Sequence, residues 1–562
     1  MNRNEYIYLA VISVLALTWR VLFLQVSNSV IDSDEAIVGL MALHIMQGES
    51  WPIFYYGQNY MGSFESIFTA AVFSLVGVSS FALKIVPLIF SIIFIWAVYV
   101  FTRRISHPWA AKVAVLFAAI PPSAFTVWST KARGGFIEVV ALGTIALLLV
   151  YLILTEKEKT FKRIEVLGLI IGLGWWINNQ MIYYALTCAL AYLVFAPRFL
   201  GLQQSIRGAV IGTGAFIIGS APFWYANFLL EPRFATFTEL LGRSSPMHTG
   251  FRDHLKGFFE YSLPIVVGAC RFWSDAEVFT GSKILFLVLI IFFSILFVVG
   301  LLSKSSNQAI SRQRALVLFL FFSFFVIITI IFSASSFGWL SQAPRYLLPL
   351  YSVYFSFIAI ALYLLRNFIS KRLANFWARF ITMIILCIAF AAQVSSNFYN
   401  GHWFIPGEPF IFEGDRAAVD HTELYEFLEN KGFNHIYTNY WVGYRIAFET
   451  QEAVTFTRFG EPRDLRIPKY EIAELSRPLD QRAYVLGTNQ GQLVMHQLVQ
   501  QGYTYSVASP SGYTVVYDIK PNVLRGEKIK LSPEMIHVTH KPEVVEFMLD
   551  NDPSTRWGTG HP

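Results

Sequence analysis

For roughly its first 400 residues the chain is written in long apolar blocks separated by short polar connections, not in the alternating or mixed pattern of a soluble core. Blocks long enough to cross about 30 Å of hydrocarbon fall near 5–26, 82–102, 109–128, 135–154, 164–180, 181–197, 208–229, 281–303, 314–333, 346–365 and 375–394. The pattern predicts a polytopic α-helical membrane protein with about eleven transmembrane helices. A shorter apolar run, 67–78, is expected as an interfacial or re-entrant helix. After about residue 395 the apolar runs shorten, and turns and charges take over. There 422–431 reads as an amphipathic helix, 435–439 as a strand, 443–450 as a helix, and 452–456 and 482–487 as strands, an alternation that predicts a small α/β domain. The expected division is a membrane domain over 1–395, whose first large loop is 27–81, a soluble α/β domain over 396–522, and a distinct segment over 523–562.

Composition removes the alternative of a soluble protein, because 55% hydrophobic against 14% charged residues is more apolar surface than a single core can bury. A net charge of +6 would suggest nucleic acid in a soluble chain. Here the cations lie between apolar blocks, so no nucleic-acid partner is expected. Arg103, Arg104 and Lys112; Lys157, Lys159, Lys162 and Arg163; Arg198 and Arg207; Lys304, Arg312 and Arg314; and Arg366, Lys371, Arg372 and Arg379 occupy every second connection. By the positive-inside rule these connections are cytoplasmic, as is the N-terminus, and the C-terminal domain is extracytoplasmic. The apolar N-terminal run lacks a small-residue cleavage site and reads as a retained helix. Cys188, Cys270 and Cys387 are too few and too scattered for a disulfide framework.

The chemistry is concentrated after the first helix. Asp32-Ser33-Asp34-Glu35 places three carboxylates at a membrane surface, where a general base can border a low-dielectric cleft and still reach a polar substrate. The structural alternative is a helix N-cap, with Asp34 capping a helix that begins at Glu35. Outward connections also hold Lys131 and Arg133, in Thr130-Lys131-Ala132-Arg133-Gly134-Gly135, and Arg345, in Ala343-Pro344-Arg345-Tyr346-Leu347-Leu348-Pro349. Two cations on a glycine-rich backbone suit close approach to a phosphate, although interfacial cations also merely snorkel.

The acid pair after helix one, then Gly48-Glu49-Ser50-Trp51-Pro52, Tyr56-Gly57-Gln58-Asn59-Tyr60-Met61-Gly62-Ser63-Phe64-Glu65, a short apolar run and a helix opening with Leu83-Lys84 resemble the first outer loop of GT-C membrane glycosyltransferases. The likeness is to the branch of protein mannosyltransferases and lipid A aminoarabinose transferases. It covers about residues 5–400 and is strongest over 31–105. The resemblance implies a GT-C-like fold and Asp34 as catalytic base, with Glu35 beside it. It further implies Arg345, in the Arg-Tyr-Leu-Leu-Pro element that opens a late helix, at a donor phosphate; Arg133 and Lys131 are expected there from their outward position near helix ends, and Asp32, Gln58, Asn59, Tyr60, Glu65, Asn179 and Tyr346 near substrate. The lysine that follows a glutamate in the aminoarabinose transferases has no counterpart around 60–65.

The implied reaction transfers a sugar with inversion from a polyprenyl-phosphate-linked sugar to a lipid, protein or polysaccharide hydroxyl, in a bacterial or archaeal plasma membrane. No cofactor is expected. Asp32-Ser33-Asp34 has the Asp-x-Asp form that can hold a divalent metal, but no further outward ligand is identifiable, and metal-independent catalysis is favoured. The aromatic runs 175–180 and 222–225 and the segment 437–445 are secondary candidates for substrate contact, with interface belts and strand-to-helix packing as the simpler accounts. Residues 551–560, Asn-Asp-Pro-Ser-Thr-Arg-Trp-Gly-Thr-Gly, resemble an early motif of the discoidin-like β-sandwich. Competing readings are a flippase of lipid-linked sugars or a non-catalytic scaffold. A transporter is expected to show repeated halves and mid-membrane charges, and only Arg20 and Glu138 approach the latter.

Overall fold

All eleven apolar blocks fold as helix. The computed structural model describes residues 1–242, 249–274, 276–303, 307–460, 465–472, 477–522 and 531–537, with residues 545 and 549. The discoidin-like stretch 551–560 and Lys304 lie outside these. The helices run in order α1 Arg3–Val26, α2 Ser33–Gln47, α3 Phe64–Val76, α4 Ser80–Leu83, α5 Ile85–Ile105, α6 Pro108–Ala119, α7 Ser123–Trp128, α8 Phe136–Thr155, α9 Thr160–Ile177, α10 Met181–Phe199, α11 Leu202–Gly219 and α12 Ala221–Leu229. After α13 Ala235–Gly242, α14 Phe251–Gly257 and α15 Leu263–Val267 come α16 Ser282–Leu302, α17 Gln308–Ala334, α18 Tyr351–Ser370 and α19 Asn375–Ser395. A 3₁₀ turn, Arg345–Leu350, leads into α18.

Among the described residues eight helices are long and apolar enough to cross a membrane, or nine if α11 and α12, bent by 69° at Ser220, form one span. The expected block 208–229 is therefore a broken helix, with Pro222 in the first turn of its second half. Two further blocks fall short for identifiable reasons. Helix α9 carries Lys162, Arg163 and Glu165 in its first turns. The block 109–128 is divided by Pro121-Pro122 into α6 and α7, since proline cannot continue the backbone ladder.

That break would strand carbonyls in an apolar medium, where each costs several kcal/mol. Polar side chains from other helices meet them. Gln393 donates to the carbonyls of Phe117 and Ile120 at 2.9 and 2.7 Å, and Asn397 to that of Pro121 at 2.9 Å. Arg20 donates to Ala119 O at 3.2 Å and to Ser129 Oγ at 2.9 Å. This buried arginine thus serves the broken helix.

Helices α9 and α11 pack backbone to backbone. A Cβ on Gly168 would lie 2.3 Å from Gly212 O, and one on Gly172 2.3 Å from Phe216 O. Small residues permit such an approach, which replaces the hydrophobic driving force that lipid does not supply.

The C-terminal region carries α20 Thr422–Lys431, α21 Tyr440–Glu449, α22 Lys469–Ile472 and α23 Thr488–Gln500, with small hairpins β1 Phe398–Tyr399 with β2 His402–Trp403, and β3 Phe410–Phe412 with β4 Asp415–Arg416. Its main sheet uses β5 His435–Thr438, β6 Thr455–Arg458, β7 Tyr484–Leu486, β8 Tyr503–Ala508 and β9 Thr514–Pro521 in the order β6-β5-β7-β9-β8. Strand β5 is parallel to β6 and β7, and β9 is antiparallel to β7 and β8. This is a mostly helical membrane protein with a C-terminal α/β unit. The strand expected at 452–456 lies at Thr455–Arg458, because residues 449–453 close the turn that follows α21.

Candidate active site

Asp32, not Asp34, caps α2. Its Oδ1 accepts from the Glu35 amide at 3.1 Å while Glu35 Oε2 accepts from the Asp32 amide at 3.3 Å, a reciprocal capping box. The helix therefore begins at Ser33, and Asp34 is released from the capping role that the sequence offered it.

The segment between α7 and α8 approaches from the other side. Arg133 bridges two acids, with Nη1 2.8 Å from Asp32 Oδ2 and Nη2 in direct contact with Asp34 Oδ2. Lys131 Nζ lies 2.8 Å from Asp32 Oδ2 and 3.4 Å from Glu35 Oε2. Gly134 and Gly135 both have positive φ, and their amides donate to Glu65 Oε2 at 2.6 and 3.0 Å. A side chain on Gly135 would strike Ile177, its Cβ lying 2.2 Å from Cγ2. These amides hold Glu65, which is buried, and are thus not turned towards a ligand.

Burial opposes the charged form of Asp32 and Asp34, and each repels the other. Arg133, with Lys131 beside Asp32 and the Tyr440 hydroxyl beside Asp34, nevertheless holds both below the usual carboxylate range. Asp34 is the more open of the two, with 23% of its side chain exposed against 8%. The charge of Arg345 also acts on Asp34. Arg345 lies against the Tyr346 ring, 5.3 Å from its centroid, and its buried Nε has no hydrogen-bond partner among the described residues. It contrasts with Arg133 and Lys131, whose charges are already taken by acids.

The other expected substrate residues divide. Asn59 is exposed, and both its amide and its side chain donate to Glu239, at 2.9 and 3.2 Å. Gln58 has a buried Oε1 without a partner among the described residues. Tyr60 is buried at 6% exposure. Tyr346 stacks on Phe337 with centroids 4.5 Å apart. Asn179 is half-buried and its side chain makes no hydrogen bond among the described residues, whereas its neighbour Asn178 is buried and donates to Gly134 O at 3.1 Å. Trp176 also has a structural duty, donating to Ile53 O at 2.9 Å and so anchoring the first loop. Trp175 and Phe223 pack edge to face, as do Phe223 and Trp224.

Sequence reading did not place three contributors beside the acids. Tyr440 donates to Asp34 Oδ1 at 2.6 Å, Arg466 donates to the Tyr440 hydroxyl at 3.4 Å, and Lys84 pairs with Glu35 at 2.5 Å. The segment 437–445 and the Leu83-Lys84 motif carried signals for Tyr440 and Lys84, but spacing alone cannot join positions 406 residues apart. Next to the Arg345 turn lies an apolar cavity of about 280 Å³, lined by Leu350 and Val353 near the turn and by Phe297, Phe321 and Phe325 deeper in the bundle.

Among the described residues no group of three or more His, Cys, Asp or Glu side chains is placed to hold a metal ion. Asp32, one half of the Asp-x-Asp pattern, is neutralised by Lys131 and Arg133, so the donor set does not fit a divalent cation.

Residues 64–225 match the family described as dolichyl-phosphate-mannose-protein mannosyltransferase. No curated protein matches the sequence. Among solved structures, ArnT from Cupriavidus metallidurans in the apo state superposes with a TM-score of 0.58 at 12% identity, over 91% of this chain and 98% of that one. The same enzyme bound to undecaprenyl phosphate gives 0.56 at 12% identity, over 92% and 98%. The Archaeoglobus fulgidus oligosaccharyltransferase in complex with zinc and sulfate gives 0.51 at 13%, over 91% and 73%. The helical order, the acid-bearing first loop and these likenesses together place the chain in the GT-C class of membrane glycosyltransferase folds.

Proposed function

We propose that the protein is an inverting glycosyltransferase that moves a sugar from a polyprenyl-phosphate donor to a hydroxyl acceptor at the outer face of a bacterial or archaeal plasma membrane. The observation that carries this reading is a partly open carboxylate, Asp34, on which the charge of Arg345 acts, the buried Nε of that guanidinium having no hydrogen-bond partner among the described residues. The acceptor oxygen attacks the anomeric carbon, Asp34 takes its proton, and the C–O bond to phosphate breaks with its electron pair going to the phosphate. A phosphate leaves without protonation, so one base suffices where a glycosidase needs two carboxyl groups. Arg345 supplies positive charge where the leaving oxygens become more negative. Arg133 and Lys131 act through the acids, keeping Asp34 ionised and the turn rigid. No metal takes part in this scheme. The apolar cavity beside Leu350 has the chemistry to receive a prenyl chain.

The order of helix ends supports the outer placement. Asp34 follows α1, while Lys84, Arg133 and Arg345 precede α5, α8 and α18. The basic clusters Arg103–Arg104, Lys157–Arg163 and Arg366–Arg372 sit at the opposite ends of those three helices, the cytoplasmic side by charge. ArnT, similar in fold, was solved with undecaprenyl phosphate bound, which supports a lipid-linked donor.

The test is to offer the purified protein polyprenyl-phosphate mannose, glucose and aminoarabinose with outer-surface acceptors and to weigh the products. Transfer should occur and should fall by about 10²–10⁴-fold in Asp34→Asn while undecaprenyl phosphate still binds. Undiminished transfer by Asp34→Asn would exclude Asp34 as base, and absence of any product would favour the flippase or scaffold readings.

A further inference from the structure

Asp34 belongs to the membrane half of the chain, yet one of its carboxylate oxygens is held from the C-terminal α/β unit. Asn439 caps α21 by accepting from the Val442 amide at 3.1 Å, which sets Tyr440 as the first residue of that helix. The Tyr440 hydroxyl reaches Asp34 Oδ1 at 2.6 Å. Behind it, Arg466 donates to the same hydroxyl at 3.4 Å and to Gly57 O at 2.6 Å, with its guanidinium over the Tyr55 and Tyr440 rings at 5.8 and 5.9 Å. Tyr55 returns to the start of α2, donating to the Asp34 carbonyl at 2.7 Å. Alongside, Ser33 Oγ donates to Trp441 O at 2.8 Å.

We propose that Tyr440 is a positioning residue for the transfer reaction, so that the active site is complete only when the C-terminal unit is docked on α2. The inference rests on the reading of Asp34 as base. A carboxylate held through Oδ2 alone still turns about its side-chain torsion. With Arg133 on one oxygen and Tyr440 on the other, its plane is fixed and each oxygen keeps one lone pair for the acceptor hydroxyl. Burial and the adjacent Asp34 charge push the Tyr440 hydroxyl well above its ordinary value, so it stays a neutral donor. A donor of this kind favours the charged carboxylate. The groups that act on Asp34 are Asp32 from the cap of α2, Arg133 from the segment between α7 and α8, Arg345 from the turn before α18, Tyr55 from the first loop, and Tyr440 and Arg466 from the C-terminal unit.

The test measures initial rates of the full-length wild type, Tyr440→Phe, Arg466→Gln and Asp34→Asn between pH 3.5 and 8, with polyprenyl-phosphate mannose, glucose or aminoarabinose as donor. Tyr440→Phe should lower kcat about tenfold or more with KM within about twofold, and should move the acid limb of kcat to higher pH, because the hydrogen bond that favours the charged form is gone. Arg466→Gln, which leaves the hydroxyl in place but removes the cation behind it, should shift the limb in the same direction by less, and it is read alone if Tyr440→Phe does not fold. A merely structural tyrosine would lower thermal stability without moving the limb. Asp34→Asn inactive while Tyr440→Phe keeps the wild-type kcat and acid limb overturns this inference and spares the base. Asp34→Asn as active as wild type, or a wild type inactive on all three donors, overturns the base reading and this inference with it.

Discussion

Lys84 Nζ lies 2.5 Å from Glu35 Oε1, and the two side chains are sealed at 3% and 0% exposure. The pair ties the first turn of α2 to the start of α5. The same glutamate accepts from the Ala132 amide at 3.2 Å and from Lys131 at 3.4 Å. Glu35 is therefore the buried anchor around which Asp32, Asp34, Lys131 and Arg133 are arranged, and it has no open face for substrate.

Removing one partner of a buried pair leaves an uncompensated charge, a loss of about 3–5 kcal/mol. Lys84→Met is expected near the lower end, since Lys131 remains beside Glu35, and thermal unfolding in detergent measures it. The double variant Lys84→Met/Glu35→Gln should be more stable than Lys84→Met alone. Additive losses would contradict the pairing.

The two arginines should separate in kinetics. Arg345→Gln should cut kcat/KM about 10²-fold by removing charge at the leaving phosphate, and should weaken undecaprenyl phosphate binding. Arg133→Gln acts on the base. Arg133 favours ionised Asp34, so its loss raises that carboxyl towards or above the ordinary aspartate range. Activity should then fall away at a higher pH than in the wild type. A pH–rate series on both variants checks this, and an unmoved acid limb in Arg133→Gln would refute it.

Docking of the C-terminal unit relies on Gly39 of α2. A Cβ there would lie 2.3 to 2.9 Å from three ring atoms of Phe448, whose ring is itself backed by Phe73 at 6.0 Å. Gly39→Ala should destabilise the protein by about 1–3 kcal/mol through overpacking, and Phe448→Leu should restore much of the loss. Calorimetry of the single and double variants reads both.

The same interface responds to acid. Glu452 is half-buried, yet hydrogen bonds from His44 at 3.0 Å and from Tyr470, with Lys469 at 3.2 Å, hold its carboxyl down at about 2. An unfolded glutamate titrates near 4.3. The folded value is the lower one, so the stabilisation is full above about pH 4.3 and is lost as pH falls towards 2, worth about 2 kcal/mol after solvent screening. Unfolding midpoints between pH 2 and 6 should fall at the acid end, and Glu452→Gln should flatten that dependence.

Much of the architecture was legible in order of residues. Apolar blocks must bury themselves in lipid whatever their partners, so the eleven helical blocks and the change of character near residue 395 follow from composition along the chain. Breaks within blocks were less visible. Pro121-Pro122 splits one helix, and Ser220 bends another, because backbone continuity depends on local carbonyl geometry that an average hydropathy does not register. The four-residue spacing of Gly168 and Gly172 stood in the sequence but acquired meaning only when α11 was found against it.

The site divides along the same line. Sequence determined that carboxylates at 32, 34 and 35 and cations at 131, 133 and 345 stand at helix ends, since a charge is excluded from hydrocarbon and collects where water begins. Which acid caps α2, which is buried against lysine and which stays partly open was decided by the fold, because each choice depends on a partner brought from elsewhere in the chain. Asp34 is distinguished from Asp32 by a hydroxyl from residue 440, and Arg345 from Arg133 in forming no ion pair among the described residues. Such differences, including the absence among the described residues of an ion pair on Arg345 like those of Arg133, are set by distances across space, and linear order does not encode them.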